Sequence, residues 1–124
     1  MKRIRWHADV GPIWYDLFKI VPESPYFDDL SGVYVIWIGT DNRTILCVGA
    51  GNIRHSLTAR RESPELSEFL VQPVFVTWAL VPNDEQPGVR HYLSDLLHPT
   101  IGDNWRTLDA PIPVNQPPWK VQPQ

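Results

Sequence analysis

The chain reads as a small α/β domain: a short, mostly antiparallel sheet flanked by helices, with an extension at each end. Three observations lead there. Gly32-Val-Tyr-Val-Ile-Trp-Ile38 and Thr44-Ile-Leu-Cys-Val48 are rich in β-branched and aromatic residues and are joined by the turn formers of Gly39-Thr-Asp-Asn-Arg43, which predicts a β-hairpin. Val74-Phe-Val-Thr-Trp-Ala-Leu80 has the length and composition of a third strand. Around these runs, apolar residues recur at helical spacing. With 124 residues, 43% hydrophobic and 20% charged, the chain is long enough for one core and short for two domains.

Taken in order, residues 1–30 form an N-terminal extension that packs on the core. Pro12 opens a short helix there, with Ile13, Leu17 and Ile20 on one face, because proline is tolerated in a first turn. The nearly continuous apolar character of the hairpin predicts burial on both faces. Gly49-Ala-Gly51 reads as a tight strand-to-helix turn, alternatively as a phosphate cradle at a helix N-terminus. Asn52 caps the helix that follows, with Ile53 and Leu57 inward and an end before Ser63-Pro64. Ser63 then caps a second short helix with Pro64 at its first position and Leu66, Phe69 and Leu70 inside.

After the third strand, the polar stretch from Pro82 to Gln86 leads to a helix opened by Pro87. Val89, Tyr92, Leu93, Leu96 and Leu97 share its inner face, and His98-Pro99 stops it, since the residue before proline is pushed out of helical geometry. Residues 105–124 form a Pro-rich tail. None of its prolines are three apart as a polyproline ligand requires, which casts Trp105 and Trp119 as anchors on the body.

A net charge of -3 provides no global attraction to a phosphate backbone, so any nucleic-acid contact is local. One cysteine, Cys47, excludes an intramolecular disulfide and a thiol cluster for zinc. The polar residues after Lys2, Arg3 and Arg5 do not form the apolar core of a secretion signal, and no run reaches membrane-spanning length. A soluble, cytoplasmic protein with no membrane partner is the expectation.

Gly32-Val33-Tyr34, followed a hairpin later by Cys47-Val48-Gly49 and a short helix, resembles the paired motifs of the GIY-YIG nuclease family. The helix ending in Leu96-Leu97-His98-Pro99 is similar to that family's second landmark. The resemblance makes residues 31–104 a GIY-YIG-like domain. It implies metal-dependent phosphodiester hydrolysis, in which a tyrosine helps activate water, an arginine steadies the phosphate and a glutamate holds one divalent cation. Such chemistry suits these groups, because a metal stabilises developing oxyanion charge and a guanidinium fork matches phosphate oxygens.

Carried over residue by residue, the resemblance makes Tyr34 the candidate catalytic residue. The second motif's tyrosine is Cys47 here. The arginine position holds Ser56, with Arg54, Arg60 and Arg61 nearby; Arg60, four residues on, has the length to reach back one turn. The glutamate position holds Arg90, which has no lone pair for a cation and suits an anion. Arg54, Arg60, Arg90 and His91 are therefore the candidate substrate-binding residues, and no metal ligand is assigned.

Each has a structural alternative: Tyr34 as a strand residue, Arg54, His55, Arg60 and Arg61 as a solvated basic face, Arg90 as an arginine whose stem covers the core edge. Glu62, Glu65 and Glu68 read as surface charges. The expected function is a degenerate or weak nuclease that binds nucleic acid through a local basic patch. The alternatives are an active endonuclease with relocated groups, using Mg²⁺ or Mn²⁺, and a Trp/Pro-rich module for a protein partner.

Overall fold

A computed structural model describes residues 1–8, 14–69, 71–101 and 108–119. Four strands, β1 (Tyr15–Asp16), β2 (Ser31–Ile38), β3 (Thr44–Asn52) and β4 (Val74–Leu80), join two α-helices, α1 (Ile53–Arg61) and α2 (Gln86–Leu97), and two 3₁₀ segments, Pro25–Phe27 and Pro64–Phe69. The sheet order is β1-β4-β2-β3, and every neighbouring pair is antiparallel. The protein is thus α/β with a four-stranded antiparallel sheet and helices.

Strand β2 lies between β3 and β4 and is buried at every position from Gly32 to Ile38. Successive side chains of a strand point to opposite faces. Tyr34, Ile36 and Ile38 accordingly pack with Ile53 and Leu57 of α1, Leu66, Phe27 and Trp78. Val33, Val35 and Trp37 pack with Val89 and Leu93 of α2, Trp6, Trp14 and Val114. The apolar run in the sequence reflects this burial between two layers, with α1 on one face and α2 on the other.

One irregularity sits in the hairpin. Ile36 faces Cys47 and Trp37 faces Ile45, so Leu46 has no cross-strand partner. Such a bulge turns two consecutive side chains to one face. Leu46 and Cys47 are both fully buried in the α1 layer.

The turn expected at Gly49–Gly51 does not form. These residues continue β3, with Gly49 opposite Tyr34 and Gly51 opposite Gly32. The strand runs directly into α1, whose N-cap Asn52 accepts a hydrogen bond from the His55 amide at 2.9 Å. No phosphate-cradling loop separates them.

The helix expected from Pro12 is also replaced. Pro12 and Ile13 lie outside the described residues; Tyr15 and Asp16 pair with Val76 and Phe75 of β4, and the Leu17 amide bonds the Val74 carbonyl. Asp16 redirects the chain, since its carboxylate accepts from the Phe18 amide and its carbonyl from those of Lys19 and Ile20. An aspartate that bonds its neighbours' backbone favours a turn over a helix. The apolar Leu17 is buried all the same, from the sheet edge.

The remaining elements fall close to expectation, except that Leu96, expected on the inner face of α2 with Val89 and Leu93, is exposed. Pro64 opens a 3₁₀ rather than an α-helical turn with Leu66 buried, while Leu70 is outside the described residues. His98 ends α2 in a left-handed conformation, with φ 52°. The tail returns across the α2 layer: Lys2 pairs with Val114, and the Asn115 side chain bonds both backbone groups of Ile4. Trp119 sits 5.1 Å from Trp37 under the Arg43 guanidinium, which is 4.3 Å from its ring centre. Trp105 lies outside the described residues. No described helix is long and apolar enough to cross a membrane.

Candidate functional site

Tyr34 and Arg60 meet on the α1 face. Tyr34 projects from the centre of the sheet, 4% exposed, and its ring lies over Gly49 on the neighbouring strand. A methyl group at Gly49 would come within 2.6 Å of the Tyr34 Cε1 atom, so the glycine opposite is what lets the ring lie there. The phenol oxygen accepts a hydrogen bond from Arg60 Nε at 3.1 Å. Arg60 stands in the last turn of α1, and its guanidinium carbon is 6.0 Å from the tyrosine ring centre. Both side chains are hydrogen-bond donors, and a guanidinium beside a hydroxyl is suited to an anionic oxygen.

The other arginines of α1 turn inward on a loop. Arg54 donates through Nε to the Pro22 carbonyl at 2.7 Å, and through one terminal nitrogen to the Ser24 carbonyl at 2.8 Å and the Asp28 carboxylate at 2.6 Å. Arg61 donates to the Ile20 carbonyl at 3.1 Å. A solvated basic face on α1 is therefore not what the structure contains: Arg54, Arg60 and Arg61 are each partly buried on protein partners, and only His55 is exposed.

Removing this clamp has a measurable consequence. Arg54→Ala is expected to cost about 1–2 kcal/mol, because hydrogen bonds to a charged group are strong but these are partly solvated. Amide exchange at Phe27 and Asp28, which close the turn on Ser24 and Pro25, should accelerate while α2 stays protected. Arg54→Lys should not restore it, since an ammonium has no planar fork to reach two carbonyls and a carboxylate together.

Arg90 and His91 belong to α2 and hence to the other side of the sheet. Arg90 is partly buried next to Val89. His91 donates through Nδ1 to the Asp109 carbonyl at 3.0 Å and places Nε2 3.3 Å from the Asp95 carboxylate, which ties the helix to the tail. The five candidates thus divide into three settings: Tyr34 with Arg60, Arg54 in the loop clamp, and Arg90 with His91 on the opposite layer.

Glu62, Glu65 and Glu68 are exposed, and Ser63 Oγ bonds Glu65. Among the described residues no group of three or more His, Cys, Asp or Glu side chains could hold a metal ion. Among the described residues, therefore, no carboxylate cluster fits a divalent cation beside Tyr34.

A further constellation was invisible to motif reading because four separate chain segments build it. Tyr15, from β1, stacks on Trp78, from β4, at 4.7 Å between ring centres. Phe27 and Tyr26 tilt against the same indole at 5.3 and 6.2 Å, and the His7 ring stacks on it at 6.2 Å. His7 Nδ1 lies 3.3 Å from the Tyr26 hydroxyl.

Burial, and then the charge of Arg5, lower the His7 pKa from its ordinary 6.5. The folded state thus favours neutral His7. As pH falls through about 6.5 the unfolded chain takes up this proton before the folded one. Stability linked to His7 is therefore fully present above that pH and is lost as the pH drops toward the folded value. Thermal melts at pH 7.5 and 5.5 should show a larger decrease for the wild type than for His7→Gln.

Comparison with models of known protein families, with curated proteins and with solved structures yields no match to this chain.

Proposed function

We propose that this protein is a GIY-YIG-like domain in which the usual metal-dependent nuclease chemistry is weak or lost and a role in binding nucleic acid is retained. The observation that carries this reading is the hydrogen bond between Tyr34 and Arg60. It joins the tyrosine of the first motif to an arginine from the helix that follows the second. Ser56 stands where the family places its arginine, and Arg60, one turn later, brings a guanidinium to the tyrosine instead. Gly49, from the second motif, supports the pairing from the facing strand.

Weak or absent hydrolysis follows from the groups missing around that pair. Arg90 replaces the expected glutamate and belongs to the opposite layer. Without a metal, developing oxyanion charge lacks its strongest stabiliser; each ~1.4 kcal/mol lost is about tenfold in rate. Binding asks less of the site, since donors suited to an anionic oxygen attract a phosphate in either state.

The test is nicking of supercoiled plasmid DNA with and without Mg²⁺ or Mn²⁺, run with Tyr34→Phe and beside binding of labelled DNA and RNA at several salt concentrations. The expected result is little or no cutting, with salt-dependent binding weakened by Arg60→Ala. Metal-dependent cutting lost in Tyr34→Phe would instead establish an active endonuclease with relocated groups. Absence of both cutting and binding would turn attention to a protein partner.

A further inference from the structure

We propose that the aromatic cleft beside Trp78 is a nucleobase pocket, in which one base stacks on Tyr26 and its phosphate faces Lys19. The inference rests on the nucleic-acid reading above and gives it a location other than the arginines.

The cleft is a cavity of about 280 Å³ lined by Tyr15, Lys19, Ile20, Ser24, Tyr26 and Phe27, with Val21 at its edge. Pockets for drug-sized molecules occupy roughly 300–1,000 Å³, so this one suits a single flat ring system. Its walls are aromatic rings and aliphatic carbon, and stacking on aromatic faces is how single-stranded nucleic acids are held without regard to sequence. Tyr26 is 48% exposed and Val21 58% exposed, so apolar surface remains open to a ligand at the mouth.

Charge selects the class of ring. Among the described residues, Lys19 is the one charged member of the lining, and no carboxylate is there. Aromatic cages for cations work because the ring faces are negative; an ammonium at the edge opposes such a ligand and favours a ring that carries an anion. A nucleotide has both parts, whereas the aromatic side chain of a peptide has only the ring.

The site is also built in advance. Arg54 and Arg61 hold the carbonyls of Ile20, Pro22 and Ser24, fixing the loop that forms one wall. Ser24 Oγ accepts from the Tyr26 amide, and His7 meets the Tyr26 hydroxyl, so the stacking ring is positioned from two sides. A preformed pocket loses less to ordering when it binds. Trp78 and Tyr34 are cross-strand partners on β4 and β2, which puts the cleft and the Tyr34–Arg60 pair in one layer.

The experiment titrates the full chain with adenosine, adenosine monophosphate, N-acetyltyrosinamide and a 5′-phosphorylated eight-residue oligothymidylate. Tryptophan fluorescence and amide shifts of residues 19–27 are followed for the wild type, Tyr26→Ala, Lys19→Glu and Arg60→Ala. Tyr26 and Lys19 are exposed, so these variants should keep the fold, as melting would verify. The expected results are shifts confined to the cleft, about a tenfold loss of oligonucleotide affinity in Tyr26→Ala, and loss in Lys19→Glu of the preference for the monophosphate over adenosine. Oligonucleotide binding unchanged in both cleft variants but weakened in Arg60→Ala would overturn the pocket and leave the nucleic-acid reading standing. Monophosphate binding in the cleft without oligonucleotide binding would support the pocket and overturn that reading. N-acetyltyrosinamide bound as tightly as the monophosphate, or no binding by any probe, would overturn the pocket.

Discussion

Gly32→Ala is expected to destabilise the fold severely. Gly32 lies in the central strand, opposite Gly51 on one side and Leu80 on the other. A Cβ there would penetrate the Ala79 carbonyl oxygen and come within 2.9 Å of its carbon and 3.0 Å of the Leu80 Cα. Overpacking a core costs about 1–3 kcal/mol when side chains can move aside. Here the obstruction is backbone in a strand bonded to the glycine's own, so relief requires the β2–β4 ladder to open. A loss above about 4 kcal/mol is expected, a large fraction of the roughly 5–15 kcal/mol that typical domains have. The contrast is Gly51→Ala: that position has φ +130°, but a Cβ would meet only Ser56 Oγ at 3.7 Å. Backbone strain of about 1–3 kcal/mol is its expected cost. Urea unfolding of both variants tests the comparison, and a Gly32→Ala protein as stable as Gly51→Ala would refute it.

The elements legible in the sequence were those whose signal is local. The β2 and β4 runs, the Asn52 cap, the proline that opens α2 and the histidine that ends it each depend on a few neighbouring residues. The failures came where a distant partner decided. Leu17 and Ile20 fit a helical face, yet β4 offered its edge to Tyr15–Asp16, and Asp16 bent the chain. Gly49 and Gly51 resemble turn residues, but a long strand opposite kept them in the sheet; the need for glycine at 49 came from the Tyr34 ring, and at 51 from a φ of +130°. The bulge at Leu46 has no evident mark, because Ile45, Leu46 and Cys47 are all apolar.

The same distinction governs the candidate site. That Arg60 has the length to reach back one turn was readable from helical geometry, and it does meet a motif residue, Tyr34. Arg54 and Arg61 lie on the same helix, but their partners are carbonyls more than a score of residues away, which spacing cannot reveal. For Arg90 and His91, the apolar period of α2 shows which face is inward without showing which side of the sheet it covers. Only the packing of Val89 and Leu93 against Val33, Val35 and Trp37 places them opposite Tyr34.

Gly49→Ala is expected to be the most damaging single change to the Tyr34–Arg60 pair that leaves both residues in place. The added methyl would overlap the Tyr34 hydroxyl and Cζ and lie 2.6 Å from Cε1. Unlike the obstruction at Gly32, this one is a side chain, but a ring that is 4% exposed has little room to swing. A cost of about 2–3 kcal/mol is expected, near the upper end for overpacking, with the melting temperature falling by on the order of 10 °C. Moving the ring would also withdraw the oxygen that accepts from Arg60 Nε. A double-mutant cycle separates this cause from a general intolerance of alanine in β3. If ring overlap is responsible, Gly49→Ala should cost much less in a Tyr34→Ala background, with a coupling energy above about 1 kcal/mol. Tyr34→Phe should give little relief of the strain, because the clashing ring remains. Additive losses in the alanine cycle would mean that Gly49 is required by its backbone rather than by the tyrosine opposite, and the facing-strand support of the Tyr34–Arg60 pair would have to be abandoned.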